Sequence, residues 1–228
     1  DRNFGREPDP QLDALRTRLK AGEVLPFDIV TTARDGIAEV FFTLAAALRG
    51  EADDGFTLLY TRITAYLRPD HSEAVLLSAG FLEALGQPAL AEETYALIPP
   101  ESPAYHIAEI GRADTLMAQD KTDAAIEVLQ SLARSHGNLV GVQTALGDAL
   151  RRQDRFAEAI PAYDAALELV GKPERRHWGL FYARGISHER SGDYKAFEAD
   201  LRQALALEPD QPQVLNYQIG RASCRARV

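Results

Sequence analysis

The sequence is poor in the residues that most catalytic and metal chemistry needs. Its one cysteine, Cys224, excludes an internal disulfide and any multi-cysteine metal site. The five histidines, His71, His106, His136, His177 and His188, are scattered. None forms an i, i+4 pair or a metal-ligand spacing with cysteine, so each reads as solvated, with His71 and His136 in loops. No glycine-rich phosphate loop, nucleophile elbow or paired carboxylate is recognisable. Apolar runs fall short of the roughly 18 residues of a membrane span, and no charged start with an apolar stretch suggests a signal peptide. The first residue is Asp1 rather than Met, so upstream sequence is expected to be missing and the compartment, cytoplasm or periplasm, stays open. Basic residues are outnumbered, 25 Lys and Arg against 34 Asp and Glu, and the net charge of −9 disfavours nucleic acid and anionic membrane surfaces as partners. "RRQDR" and "PERR" are then solvated basic clusters, and Glu92-Glu93 and Asp53-Asp54 surface or turn residues.

What is present is helix-forming and periodic. With 46% hydrophobic and 26% charged residues, the chain has enough apolar surface to fold and enough charge to stay solvated. A small residue recurs at Ala45, Ala79, Ala113 and Gly147, 34 apart, and again at Gly185 after 38. The four surplus residues fall in the loop "VGKPERR", where insertion costs little. A period in this range signals a solenoid of supersecondary units. Each unit reads as two helices of similar length joined by a polar turn: "GEADDG", "LGQP", "AQDKTD", "RQDR" and "RSGD". In "FAEAIPAYDAALEL", Ile160, Tyr163, Ala166 and Leu167 form the stripe of a half-buried helix, and Pro161 is placed near its first turn. Helices this short are marginal alone, so neighbouring units must supply the surface that covers each stripe. Small residues mark where helix backbones approach closely, with Leu146 and Tyr163 filling the space beside them.

The pattern resembles the tetratricopeptide repeat family, whose motif has Leu-Gly in the first helix, Ala, an aromatic and Ala in the second, and Pro at the close. The unit at 140–177 matches with Leu146, Gly147, Ala159, Tyr163 and Ala166; that at 178–211 with Gly185, Leu201, Ala204 and Pro209. The unit at 72–105 carries Ala79, Ala91 and Tyr95, and that at 106–139 carries Ala113, Ala125, Leu129 and Leu132. The first, 38–71, keeps Leu44, Ala45 and Pro69 but has Thr57, Thr61 and Thr64 in place of Ala, an aromatic and Ala. Phe197 stands where Ala is usual, a substitution whose overpacking costs about 1 to 3 kcal/mol unless a neighbour gives way. Pro99-Pro100 is expected to end one second helix early. The resemblance implies an all-α fold, a right-handed superhelical solenoid of antiparallel helix pairs with five repeats over residues 38–211.

Residues 1–37 are expected to hold an N-terminal helix, with Leu12, Leu15 and Leu19 at helical spacing and Gly22 as its stop, and a connector through Pro26. That helix is either a cap or the second half of a truncated repeat. Asp28, Thr31 or Thr32 caps the next helix. Residues 212–219 read as the start of a truncated sixth repeat. Residues 220–228, "GRASCRARV", read as a non-native tail, with a frayed native terminus as the alternative.

In the resembled family the first helices line a concave groove that meets the ligand. The corresponding positions here are Glu39, Phe42, Thr43 and Ala46; Glu73, Leu76, Leu77 and Gly80; and Ile107, Ile110, Gly111 and Asp114. Later units contribute Thr144, Ala145, Asp148 and Arg151, then Tyr182, Ala183, Ile186 and Glu189. The early half is apolar with an acidic edge, suited to an extended segment or amphipathic helix with basic groups. The same apolar residues are equally suited to packing against an N-terminal helix or a second copy. Some chaperone-binding relatives grip a C-terminal carboxylate with Lys, Asn and Arg; Phe42, Ala46, Leu77, Ile107 and Gly111 at those places disfavour that mode. The expectation is a protein or peptide partner, with no catalysis, no cofactor and no metal. Two alternatives remain: the recognition or regulatory arm of a larger enzyme, and a self-association module forming a homodimer.

Overall fold

The computed structural model describes residues 10–24 and 30–212. Pro26, Asp28, Cys224, the side chain of Leu12, the start of a sixth repeat and the tail at 220–228 lie outside the described residues. Among those described there are eleven α-helices and no strand. The chain divides into two compact units, Asp1–Val128 and Leu129–Val228, with the boundary inside one helix.

The first unit holds α1 (Pro10–Lys20), α2 (Ala33–Leu48), α3 (Asp54–Leu67), α4 (Ser72–Ala84), α5 (Pro88–Tyr95) and α6 (Tyr105–Ala118). From α2 onward each helix packs on the next in sequence. α7 (Thr122–Ser135) crosses the boundary. The second unit continues with α8 (Val140–Arg152), α9 (Phe156–Val170), a single 3-10 turn at Arg175–His177, α10 (Trp178–Arg190) and α11 (Tyr194–Leu207), again packed in order from α8. The fold is an all-α solenoid of consecutive helix pairs.

Local chemistry sets where the helices start and stop. Thr32 caps α2 in a reciprocal box with Asp35, and Asp53, His71 and Asp193 accept the free N–H groups that open α3, α4 and α11. The turn inside every pair has one residue at positive φ: Gly50, Gly86, Asp120, Asp154 and Gly192. At the last four the following N–H bonds back five residues, Gln87 to Leu82, Lys121 to Leu116, Arg155 to Leu150 and Asp193 to His188. That bond ties off orphan carbonyls of the helix end, and Asp tolerates the left-handed conformation better than most side chains.

The recurring small residues all lie inside. Ala45 and Ala79 are fully buried, Ala113 is 1% exposed, and Gly147 and Gly185 are buried. A Cβ on Gly147 would sit 2.8 Å from Tyr163 Cε1, so the ring occupies the space an alanine methyl would need. Phe197 is accommodated in the same way, 2% exposed beside Phe181, Leu201 and Ala204, with Gly185 opposite it. α5 stops after eight residues, ahead of Pro99-Pro100.

Two local expectations are corrected. Pro161 lies inside α9, five residues after Phe156, where a normal residue would bond the carbonyl of Ala157; one interior helical bond is therefore missing. His71 and His177 are not solvated. They are 6% and 8% exposed, each bonding through Nδ1 to a backbone N–H, of Ala74 and Glu174 respectively.

The three threonines of α3 are fully buried, yet their hydroxyls are satisfied. Thr57 donates to Asp53 O, Thr61 to Leu58 O, and Thr64 to Tyr60 O at 3.0 Å. Across the α3–α4 contact, Ser78 Oγ donates to Thr61 Oγ1 at 2.7 Å. A hydroxyl pair thus holds α3 to α4 where an aromatic ring would ordinarily fill space.

Candidate protein-binding face

In the first unit the residues picked from the sequence lie on α2, α4 and α6. Ile107 is half exposed, whereas Leu77 and Ile110 are partly buried, and Leu76 packs against the core cluster of Val75, Ala79, Tyr95 and Ala108. Thr43 is exposed. Phe42 is less available, because its ring lies 4.5 Å from that of His71.

The acidic residues of this unit are engaged by partners inside it. Glu39 Oε1 lies 2.6 Å from Arg68 Nη1 and 3.4 Å from His71 Nε2. Glu73 Oε2 is 3.3 Å from His71 Nδ1, the atom that accepts the Ala74 N–H. Two carboxylates from α2 and α4 therefore flank one buried imidazole. Asp114 sits beside Glu83 and Tyr95; partial burial, with Asp114 adding repulsion, pushes the Glu83 carboxyl up. The Tyr95 phenol donates to Glu83 Oε2 at 3.3 Å and is itself pushed up, by desolvation first and by Glu83 next. Tyr95 also fills the space above Gly111, whose Cβ would fall 2.4 Å from its Cζ. The Glu109 carboxylate, 7% exposed, takes both oxygens to Arg112 Nη1 at 2.9 and 3.0 Å.

In the second unit the chosen residues lie on α8 and α10. Asp148 accepts from Tyr163 Oη at 2.7 Å and from Arg151 Nη2 at 3.2 Å, while Arg151 Nε donates to Tyr163 Oη at 3.1 Å. The three side chains close a triangle that satisfies the buried phenol. Thr144 is partly buried and turns its hydroxyl back to Val140 O. Tyr182 and Ile186 pack against the Phe181 and Phe197 cluster, with the Tyr182 ring tilted against Trp178 at 6.1 Å between centroids.

One network escaped the sequence reading. Arg184 bonds Asp200 through Nε at 2.9 Å and Nη2 at 2.6 Å, and Asp164 through Nη1 at 2.7 Å, tying α9, α10 and α11 together. The partners lie 16 and 20 residues away, and no sequence motif marks such a distance. Among the described residues no group of three His, Cys, Asp or Glu converges on a possible metal position, and no helix is long and apolar enough to cross a membrane.

No curated protein matches the sequence. Among solved structures the chain is similar to PilW, a widely conserved type IV pilus biogenesis factor, at TM-score 0.67 and 13% identity over 91% of this chain and 89% of that one. It is similar to YrrB, a TPR protein with an unusual peptide-binding site, at TM-score 0.58 and 14% identity over 82% and 98%. It is also similar to MamA from Desulfovibrio magneticus RS-1, at TM-score 0.61 and 16% identity over 79% and 98%. At these identities the likeness is one of fold. The sequence pattern of the tetratricopeptide repeat matches residues 110–169 and 144–212, the stretch that holds α7 through α11 and most of α6. That match places tetratricopeptide repeats over residues 110–212, and the chain's succession of helix pairs shares the fold of the solved tetratricopeptide repeat protein YrrB.

Proposed function

We propose that the chain is a non-catalytic protein-interaction scaffold, and that its first unit holds a peptide or amphipathic helix along α4 and α6. The observation that carries this reading is the half-exposed Ile107 and the partly buried Ile110 on α6, with the partly buried Leu77 on α4. In this reading the three make one apolar strip that takes anchors at helical spacing. Glu39 and Glu73 are held by Arg68 and His71, so the acidic edge attracts through its field rather than by offering free bidentate hooks. Apolar anchoring therefore supplies most of the affinity, and basic residues in the guest mainly speed its approach. The YrrB likeness supports a peptide ligand for this fold, and the second unit's residues contribute less because Tyr182 and Ile186 are drawn into its core.

The test is selection of peptides from a displayed library on the whole chain, followed by titration against Leu77→Asp and Ile107→Asp. Ile107 is half exposed and Leu77 lies outside the buried core, so the fold should survive, as circular dichroism would report. Loss of binding by either variant with unchanged helicity supports the reading. Selected peptides that bind both variants as tightly as the parent would remove it.

A further inference from the structure

α2 carries a second apolar row that stays open to solvent: Ile37, Val40 and Leu44 are 51%, 62% and 43% exposed, with Ala47 continuing the line. The positions 34 residues later are His71, Ala74, Ser78 and Phe81, exposed by 6%, 0%, 1% and 4%. They are buried because α3 lies along α4, joined by the Ser78–Thr61 hydroxyl bond. α2 thus presents the row that receives a preceding helix in the next repeat, and here the row is left exposed. α1 is the described helix before α2, and it has an unmatched surface of its own: Leu15 and Leu19, one turn apart, are 38% and 56% exposed.

We infer that α1 docks on the Ile37–Val40–Leu44 row and covers α2 as α3 covers α4. The connector, residues 21–32, spans up to about 40 Å at roughly 3.3 Å per residue. That exceeds the about 24 Å length of α2 at roughly 1.5 Å per residue, so α1 can return along either direction of the row. Both partners bring leucine-sized side chains at i, i+3 or i+4 spacing, the arrangement that lets ridges of one helix enter grooves of another. The inference is independent of the peptide-binding strip, which lies on α4 and α6.

Site-directed cross-linking on the full chain tests it. With Cys224→Ser as background, Arg16→Cys is combined in turn with Ala33→Cys and Ala47→Cys, the two ends of the row, and treated with a short bismaleimide. One pair should give an intrachain cross-link on a monomer. Leu15→Asp with Leu19→Asp should lower that yield about tenfold or more, since each buried leucine contributes that order of preference. A covalent dimer would assign the row to a second copy and overturn the inference. So would the absence of a cross-link in both pairs, or a yield indifferent to the aspartates.

Discussion

Gly147 and Gly80 both sit inside first helices of their pairs, yet the same substitution should move stability in opposite directions. In a helix interior, Gly to Ala gains about 1 kcal/mol, because alanine loses less backbone freedom on folding. At Gly80 nothing stands within 4 Å of a new Cβ, so the gain is kept. At Gly147 the new methyl would meet Tyr163 Cε1, Cδ1 and Cζ at 2.8, 2.9 and 2.9 Å. That ring has nowhere to go: it is fully buried, and its hydroxyl is held by Asp148 at 2.7 Å and Arg151 at 3.1 Å. Overpacking of this kind costs about 1 to 3 kcal/mol, so Gly147→Ala should lose up to about 2 kcal/mol after the helix gain is counted. Urea unfolding followed by circular dichroism reads both; with a slope of about 2 kcal/mol per molar, Gly80→Ala should raise the midpoint by about 0.5 M and Gly147→Ala should lower it. Placing Gly147→Ala on a Tyr163→Leu background should abolish the loss, because the methyl then has room. Equal shifts for the two glycines, or a Gly147→Ala penalty that persists without the ring, would refute the packing argument.

Three further outcomes follow from the polar contacts. Arg184→Ala should cost about 3 to 5 kcal/mol by stranding the 5% exposed Asp200 carboxylate, whereas Asp200→Ala leaves Arg184 still paired with Asp164 and should cost clearly less, as parallel urea titrations would show. Thr61→Val should destabilise by about 1 to 2 kcal/mol by orphaning Ser78, and Thr61→Val with Ser78→Ala should recover most of it. The Asp35 carboxyl is held at about 2 by the Thr31 hydroxyl first, then the Thr31 and Thr32 N–H groups. Because its folded pKa lies below the ordinary 3.8, the cap of α2 is at full strength above that value and is lost as pH falls through about 2. A carboxyl-carbon NMR titration should therefore give a midpoint near 2; one near the ordinary value would show that the capping box is absent in solution.

The helix pairs were legible because their signals are local. Gly86, Asp120, Asp154 and Gly192 end helices through their own backbone conformation, and the buried alanines and glycines recur at fixed spacing. The early units are fainter, since Thr57, Thr61 and Thr64 replace packing by hydroxyl bonds and α5 is cut short; the family pattern correspondingly matches from residue 110 onward. The candidate face was legible as a set of positions but not in its availability. Phe42 is taken up by His71, Asp148 by Tyr163 and Glu39 by Arg68, pairings fixed by distance between helices rather than along the chain. His71 itself looked like a loop residue, because nothing in its neighbours announces that two carboxylates and a ring will close over it. Pro161 was misplaced for a simpler reason: α9 starts at Phe156, earlier than a proline-led helix would.

The central claim is that partners are held on the apolar strip of α4 and α6. Amide hydrogen exchange on the whole chain, with and without a library-selected peptide at saturation, tests it most directly. Added protection concentrated in α4 and α6, and lost in Ile107→Asp, is the predicted result; protection confined to other helices would contradict the account.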